Sequence, residues 1–228
     1  MPLQLAECAI CLTHDTRFAT EERRIRDLFR DRVARLYFRL DGDGETFPRF
    51  RYHQIHDHAA PESFNGTPGA YWYTRAFQGA VRRARDLGWP EFLCLEDDCD
   101  LLPNFDDVTA EALEQIDRLG LCPDLLYFGA NHSEATTTGL APNLLQCDGS
   151  WTTHCVLIRS SVYDAIIDAP PVKPGDVILA QDVQPRCLAV AVWPSVAIQR
   201  PMRSVIWRKD VDYGECWTTK GKTHRAQA

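Results

Sequence analysis

Phe92-Leu-Cys-Leu-Glu-Asp-Asp-Cys-Asp100 decides how this chain is to be read. Phe92 to Leu95 is an apolar run that follows a Gly88-Trp-Pro90 turn, the pattern of a buried strand. It is met abruptly by four carboxylates, Glu96, Asp97, Asp98 and Asp100. In an α/β fold such a strand is covered on both faces, and ligands gather at the carboxyl ends of strands. Side chains alternate along a strand, so Glu96 and Asp98 are expected on one side and Asp97 on the other. Like charges this close repel and raise one another's pKa unless something neutralises them. A hard divalent cation with oxygen ligands would do so. The plain alternative is a solvated acidic loop after a core strand.

Outward from this stretch, the chain alternates strands and helices. Ala6 to Leu12 is the first strand candidate, and Thr20-Glu-Glu is expected to open a helix with Ile25, Leu28, Phe29 and Val33 on one face. Arg35 to Leu40 follows as a second strand. Residues 45 to 70 are irregular and hold His53, His56 and His58, best taken as surface-loop histidines, with a substrate contact by one of them left open. Gly69 to Gly88 reads as a long helix whose apolar stripe, including Tyr73 and Phe77, faces the core. After the acidic cluster come a helix to about Leu119, a strand over Asp124 to Gly129 and a long polar loop over 131 to 149. Trp151 to Ile158 is a strand, a short helix runs to Ile167, and Pro170 to Gly175 is a stiff turn. Asp176 stands at the start of an apolar segment, and Leu188 to Trp193 is the last clear strand. This order predicts one α/β domain over residues 1–206, with a mostly parallel central sheet flanked by helices, and a polar C-terminal tail over 207–228.

Composition sets outer limits. The chain has 228 residues, 45% of them hydrophobic and 25% charged, an ordinary balance for a sizeable core. A formal charge of -7 argues against a general binder of nucleic-acid polymers, though not against a nucleotide held through a metal. No run approaches the roughly 18 apolar residues of a membrane span. The first residues do not read as a secretory signal. Nine cysteines, with Cys8 and Cys11 inside an apolar run, read as buried free thiols of a reducing, cytoplasmic compartment rather than a zinc or redox site. Arg17, Arg23, Arg24 and Arg26 lie near the end of the first strand, where any one of them can be a phosphate contact or part of a solvated helix face.

The ordered pieces resemble a nucleotide-sugar glycosyltransferase of the GT-A type. More narrowly they are similar to glycosyltransferase family 25, the lipopolysaccharide-type β-glycosyltransferases. The likeness spans roughly residues 67 to 206. It is carried by Phe92 to Asp98 with Leu101, Leu102, Pro103 and Phe105, by Asp124 to Gly129, by Thr152 to Ser160, and by Val172 to Asp176 with Trp193 to Gln199 and Ser204. Gly69-Ala-Tyr-Trp-Tyr-Thr stands where the family usually has Gly-Cys-x-x-Ser-His, and Ser204-Val-Ile where it has Ser-Asp-Ile.

The resemblance implies Mn²⁺ or Mg²⁺ bridging the diphosphate of a nucleotide-sugar donor, a UDP-sugar, with inversion at the anomeric carbon. Asp98 is then the leading metal ligand, with Glu96 binding directly or through water. Asp97 or Asp100 would position the donor ribose or an outer water, and His154 is a further donor contact. Inversion needs a general base away from the metal. Asp176 is the first choice, with capping of the next element as its ordinary alternative, and Asp182 is the runner-up. The acceptor hydroxyl belongs to a glycan, a lipid-linked glycan or a protein. Two other readings stay open. A metal-dependent nucleotidyltransferase or phosphohydrolase uses similar carboxylates, although no Gly-x-x-x-x-Gly-Lys-Thr/Ser loop is present. A non-catalytic glycan- or protein-binding module on a degenerate transferase fold is the third.

Overall fold

The computed structural model describes residues 3–13, 15–38, 60–131, 137–204 and 209–211. The main sheet is built from Ala6–Leu12 (β1), Val33–Phe38 (β2), Glu91–Glu96 (β3), Leu125–Asn131 (β5), Thr137–Ala141 (β6), Leu144–Cys147 (β7), Trp151–Arg159 (β8) and Ala189–Val192 (β9). Cys99–Leu101 (β4) pairs apart from it with Ala197–Gln199 (β10). Met202–Arg203 (β11) pairs with Asp210–Val211 (β12), which belongs to the segment expected as a polar tail. The helices are Asp15–Phe29 (α1), Pro68–Asp86 (α2), Phe105–Arg118 (α3), Tyr163–Ile167 (α4) and Gly175–Ile178 (α5).

The sheet order is β2-β1-β3-β8-β5-β9-β7-β6. Six of the eight strands run in one direction, and β8 and β7 run against them. The chain is thus the expected α/β domain with a central sheet flanked by helices. Alternation along β3 sorts its side chains between two cores. Phe92 and Cys94 join α2, α4 and α5 on one face, through Phe77, Ala80, Tyr163 and Ile178. Leu93 and Leu95 join α1 and α3 on the other, through Ile25, Phe29, Ala112 and Ile116. Burial on both faces explains why β3 reads as a continuous apolar run.

Local chemistry accounts for several boundaries. Thr67 caps α2, its hydroxyl oxygen accepting from the Ala70 amide at 3.2 Å, and Pro68 fits the first turn, where its missing N–H costs nothing. Asp106 and Asp107 sit at the positive end of α3 and Arg118 at its negative end. Other expectations need correction. The first helix begins at Asp15, not Thr20, whose hydroxyl donates to the Arg17 carbonyl at 2.8 Å inside the helix. The second strand begins at Val33. The stretch over 131 to 149 is not one loop, because Thr137–Ala141 and Leu144–Cys147 form an antiparallel hairpin added to the sheet edge. The apolar segment after Asp176 is helical and passes into a π-helical turn, Leu179–Val183, that packs on the α2 face.

Cys8 and Cys11 lie three positions apart on β1, hence on opposite faces of the strand, and both are unbonded thiols. His53, His56, His58 and residues 212–228 lie outside the described residues. Among the described residues no helix is long and apolar enough to cross a membrane.

At Gly129, β5 lies directly against the Ala197 backbone of β10. A Cβ there would lie 2.0 Å from the Ala197 carbonyl oxygen and 2.6 Å from His154 Nε2. Both obstacles are buried, and one is backbone, so neither can move aside cheaply. Gly129→Ala is therefore expected to lower the unfolding free energy by about 3 kcal/mol, the upper range for overpacking, as read from a urea titration. A variant within ~0.5 kcal/mol of wild type, the scatter of harmless surface changes, contradicts this packing.

Candidate functional site

The acidic stretch lies at the carboxyl end of β3, and its three consecutive carboxylates have three different environments. Asp97 faces α1. Its side chain is 1% exposed, with Oδ2 accepting from the Thr13 hydroxyl at 2.7 Å and Oδ1 paired with the Arg17 guanidinium at 2.5 Å. Glu96 faces α2. Its Oε1 accepts from the Tyr73 hydroxyl at 2.9 Å and the Thr153 hydroxyl at 2.6 Å. Glu96 Oε2 and Asp98 Oδ2 each lie 3.4 Å from the same Gln199 amide nitrogen, so two carboxylates converge on one donor. Asp98 Oδ1 is buried with no hydrogen-bond partner.

The turn that carries these groups is clamped from α1. Arg24 donates to the carbonyls of Asp97 at 2.6 Å and Cys99 at 2.7 Å, while its Nε pairs with Glu21 at 2.7 Å. The Arg200 amide donates to the Asp98 carbonyl at 2.9 Å, and the Arg200 side chain also reaches Glu21. Two of the four arginines expected as possible phosphate contacts, Arg17 and Arg24, are thus engaged by the acidic turn. Arg23 and Arg26 pair with Asp27 and Glu22 of their own helix.

The other expected site residues divide. Asp176, in the first turn of α5, accepts from the Val177 amide at 2.9 Å, and its charge reaches Glu96. Its side chain thus bonds within its own turn, whose cap position is Pro174 with no side-chain cap. Asp182 is held by Lys173 at 2.8 Å. Asp100, on β4, is 43% exposed, with Oδ1 accepting from the Leu101 amide and lying 3.9 Å from Arg24. His154 is fully buried, its Nδ1 3.1 Å from the Thr152 hydroxyl and its Nε2 3.3 Å from the Ala197 carbonyl. A carbonyl only accepts, so Nε2 carries the proton and Nδ1 takes the hydroxyl's. With both nitrogens engaged in the core, His154 ties β8 to β10. Asp97, closed off by Thr13 and Arg17, likewise anchors α1 to the turn.

Sequence periodicity misses Tyr73 and Thr153. Spacing places Tyr73 in the core stripe of α2, and its ring does pack there while its hydroxyl reaches Glu96. Thr153 is hidden for a different reason. Along β8, Val156 and Ile158 face the α2 core, and Cys155 and Leu157 face the α1 core. Strict alternation would send Thr153 toward α1. Yet Thr153 meets Glu96 and His154 meets β10, so the phase switches next to Cys155, beside a register shift in the β5–β8 ladder. Bulges of this kind re-aim side chains near functional sites. Gln199 carried a signal, since it stands in the Trp193 to Gln199 segment of the family resemblance.

Burial dominates the electrostatics. It pushes the Glu96 carboxyl up, opposed by the Thr153 and Tyr73 hydroxyls and reinforced by the charges of Asp176 and Asp97. Asp98 is pushed well above the carboxylate range by burial, then by Glu96 and Asp97, against Arg17 and Gln199. Burial also raises Asp176. A divalent ion fits these residues. It would neutralise two converging carboxylates and use the unpartnered oxygen of Asp98. Among the described residues no three His, Cys, Asp or Glu side chains converge as a complete protein cage. Two carboxylates, with water and substrate phosphate completing the sphere, is the usual arrangement for Mg²⁺-type ions.

All three raised carboxyls bind protons more tightly folded than unfolded. Their protonation contributes stability fully below the unfolded pKa and loses it as pH rises through the folded one. Without metal, Tm should therefore climb as pH falls through the raised range of these carboxyls toward the ordinary carboxylate value, and Asp98→Asn should flatten that slope, measured by calorimetry in chelator. An unchanged slope in Asp98→Asn would contradict the buried-charge assignment.

No protein-family model and no curated protein matches this sequence. Among solved structures the chain is similar to an apo UDP-glucose pyrophosphorylase, at 6% identity over 50% of each chain with a TM-score of 0.34. It is also similar to a mannose-1-phosphate geranyltransferase from Thermus thermophilus, at 10% identity over 82% of this chain and 73% of that one, with a TM-score of 0.46. Likenesses this distant carry nothing about activity, which has to be argued from the site itself.

Proposed function

We propose that this protein is a metal-dependent inverting glycosyltransferase that moves a sugar from a nucleoside-diphosphate donor, a UDP-sugar, to a hydroxyl acceptor. The observation that carries the reading is the buried, unpartnered Oδ1 of Asp98 beside Glu96 at the carboxyl end of a central strand. An unpaired charge in such a place destabilises the fold unless a proton or a cation neutralises it. Asp98 and Glu96 Oε2 are the residues that would hold Mn²⁺ or Mg²⁺. When bound, the ion supplies electrostatic neutralisation of the departing diphosphate.

The chain's own groups supply the rest. Tyr73 and Thr153 orient Glu96, and Arg24 with the Arg200 amide keeps the turn from shifting as the charge on the donor changes. Asp176 accepts the proton of the acceptor hydroxyl as the acceptor oxygen bonds to the anomeric carbon. The bond from that carbon to the diphosphate oxygen breaks, and the nucleoside diphosphate leaves. Burial raises Asp176 toward the range where a carboxylate is an effective base, which supports it over Asp182, already paired with Lys173. Asp100, half-exposed at the rim, is the remaining candidate for a donor ribose contact.

Incubation with Mn²⁺ and a panel of nucleotide sugars tests the proposal, with release of UDP as the expected result. Activity confined to nucleoside triphosphates with sugar phosphates, or to phosphoesters, would move the assignment to a nucleotidyltransferase or phosphohydrolase. Absence of any Mn²⁺ and UDP binding would leave a non-catalytic module. Asp98→Ala should abolish Mn²⁺-dependent UDP binding in calorimetry while the protein stays folded. Asp176→Asn should keep Mn²⁺ and UDP affinity while turnover falls by roughly 10²-fold or more, the scale of general-base contributions. Wild-type turnover in Asp176→Asn would clear that residue of the role.

A further inference from the structure

The two oxygens of Glu96 are not equivalent. Oε1 is approached by the Tyr73 hydroxyl at 2.9 Å and the Thr153 hydroxyl at 2.6 Å, while Oε2 points toward the Gln199 amide that it shares with Asp98. The two hydroxyls also contact each other. Two hydroxyl protons serve these three contacts, so at least one of them always rests on Oε1. The arrangement is held firmly. Thr153 is 1% exposed, and Tyr73 packs its ring on the α2 core. The residue before Thr153 has the unfavourable backbone angle φ +82°, and the phase of β8 switches just after it, next to Cys155. A non-glycine residue held at such an angle beside a functional group is a feature the surrounding structure has to enforce.

We infer that Tyr73 and Thr153 are positioning residues that restrict Glu96 to one ligating oxygen, and so select a small six-coordinate cation, Mn²⁺ or Mg²⁺, over Ca²⁺. The inference rests on the metal site proposed above. Ca²⁺ takes six to eight oxygens in a flexible sphere and gains from carboxylates that bind through both oxygens, whereas Mg²⁺-type ions demand few ligands in strict geometry. A glutamate whose second oxygen is occupied by two hydroxyls cannot offer both. Partners that orient a ligand in this way govern affinity nearly as much as the ligand itself.

The test uses the full chain and measures Mn²⁺ binding from the electron paramagnetic resonance signal of free Mn²⁺, with Ca²⁺ as competitor. The combined variant Tyr73→Phe, Thr153→Val keeps the shapes and removes both hydroxyls. It should lose about 10- to 100-fold in Mn²⁺ affinity, and Ca²⁺ should lose less, so that the Mn²⁺-to-Ca²⁺ ratio narrows by about tenfold. Thr153→Ser, which keeps the hydroxyl, should retain the wild-type ratio; a merely structural role would not distinguish ions. A combined variant that binds with the wild-type ratio overturns the inference while leaving the metal site standing. Equal Mn²⁺ binding by wild type and Asp98→Asn overturns the metal site itself, and the inference with it. Should the combined variant not fold, Tyr73→Phe alone, whose ring keeps its packing, carries the test. A narrowed ratio supports the inference, and an unchanged one ends it.

Discussion

The structure depends on how one turn disposes of three adjacent carboxylates, Asp97 buried and Glu96 and Asp98 half-buried. Removing charge from water is costly, and neighbouring like charges compound that cost. Asp97 is fully compensated by Arg17 and Thr13. Glu96 is compensated on one oxygen by two hydroxyls and only weakly on the other. Asp98 has a single long contact to Gln199 and an oxygen with nothing. This gradient, from satisfied to unsatisfied across three residues, separates anchoring from chemistry. The residue closed off by the protein holds the turn, and the pair left short of partners is Glu96 and Asp98.

Much of the surrounding fold keeps that turn where it is. Arg24 and Arg200 converge on it from α1 and from beyond β10, and both are bridged by Glu21. The β4–β10 ladder continues the same anchoring, bringing Gln199 opposite Cys99 and therefore beside the carboxylates. Gly129 allows β10 to lie against β5 at a distance no side chain would permit. His154, buried below, ties that strand to β8 through the Ala197 carbonyl. A histidine with both nitrogens engaged in this way is part of the frame, however suggestive its residue type.

The sheet positions the rest. β8 runs antiparallel between β3 and β5, so its amino end lies at their carboxyl ends. That reversal delivers Thr153 to Glu96 from a segment 57 positions away in the chain. α2, packed across the same face, delivers Tyr73 from the other direction, and the charge of Asp176 on α5 adds to the rise of the Glu96 carboxyl. The constellation therefore draws on β3, β8, α2, α5 and β10, which are scattered along the chain.

What could be read from the sequence was local or periodic. The apolar run of β3, the span of β1, the helix over most of 69–88 and the position of the acidic cluster at a strand end follow from residue spacing alone. Spacing also separates Asp97 from Glu96, since alternation needs no partner to be known. Tertiary structure decided everything that rests on which strands meet and in what register. The hairpin over Thr137–Cys147 gains its partner only at the sheet edge, so its polar sequence reads as loop. The phase switch in β8 breaks the period on which a sequence reading relies, and it alone turns Thr153 toward Glu96 and His154 away. Residue type and spacing therefore determine where charge is concentrated along this chain. Only the fold determines which of those charges is neutralised, because the neutralising groups come from elements distant in sequence.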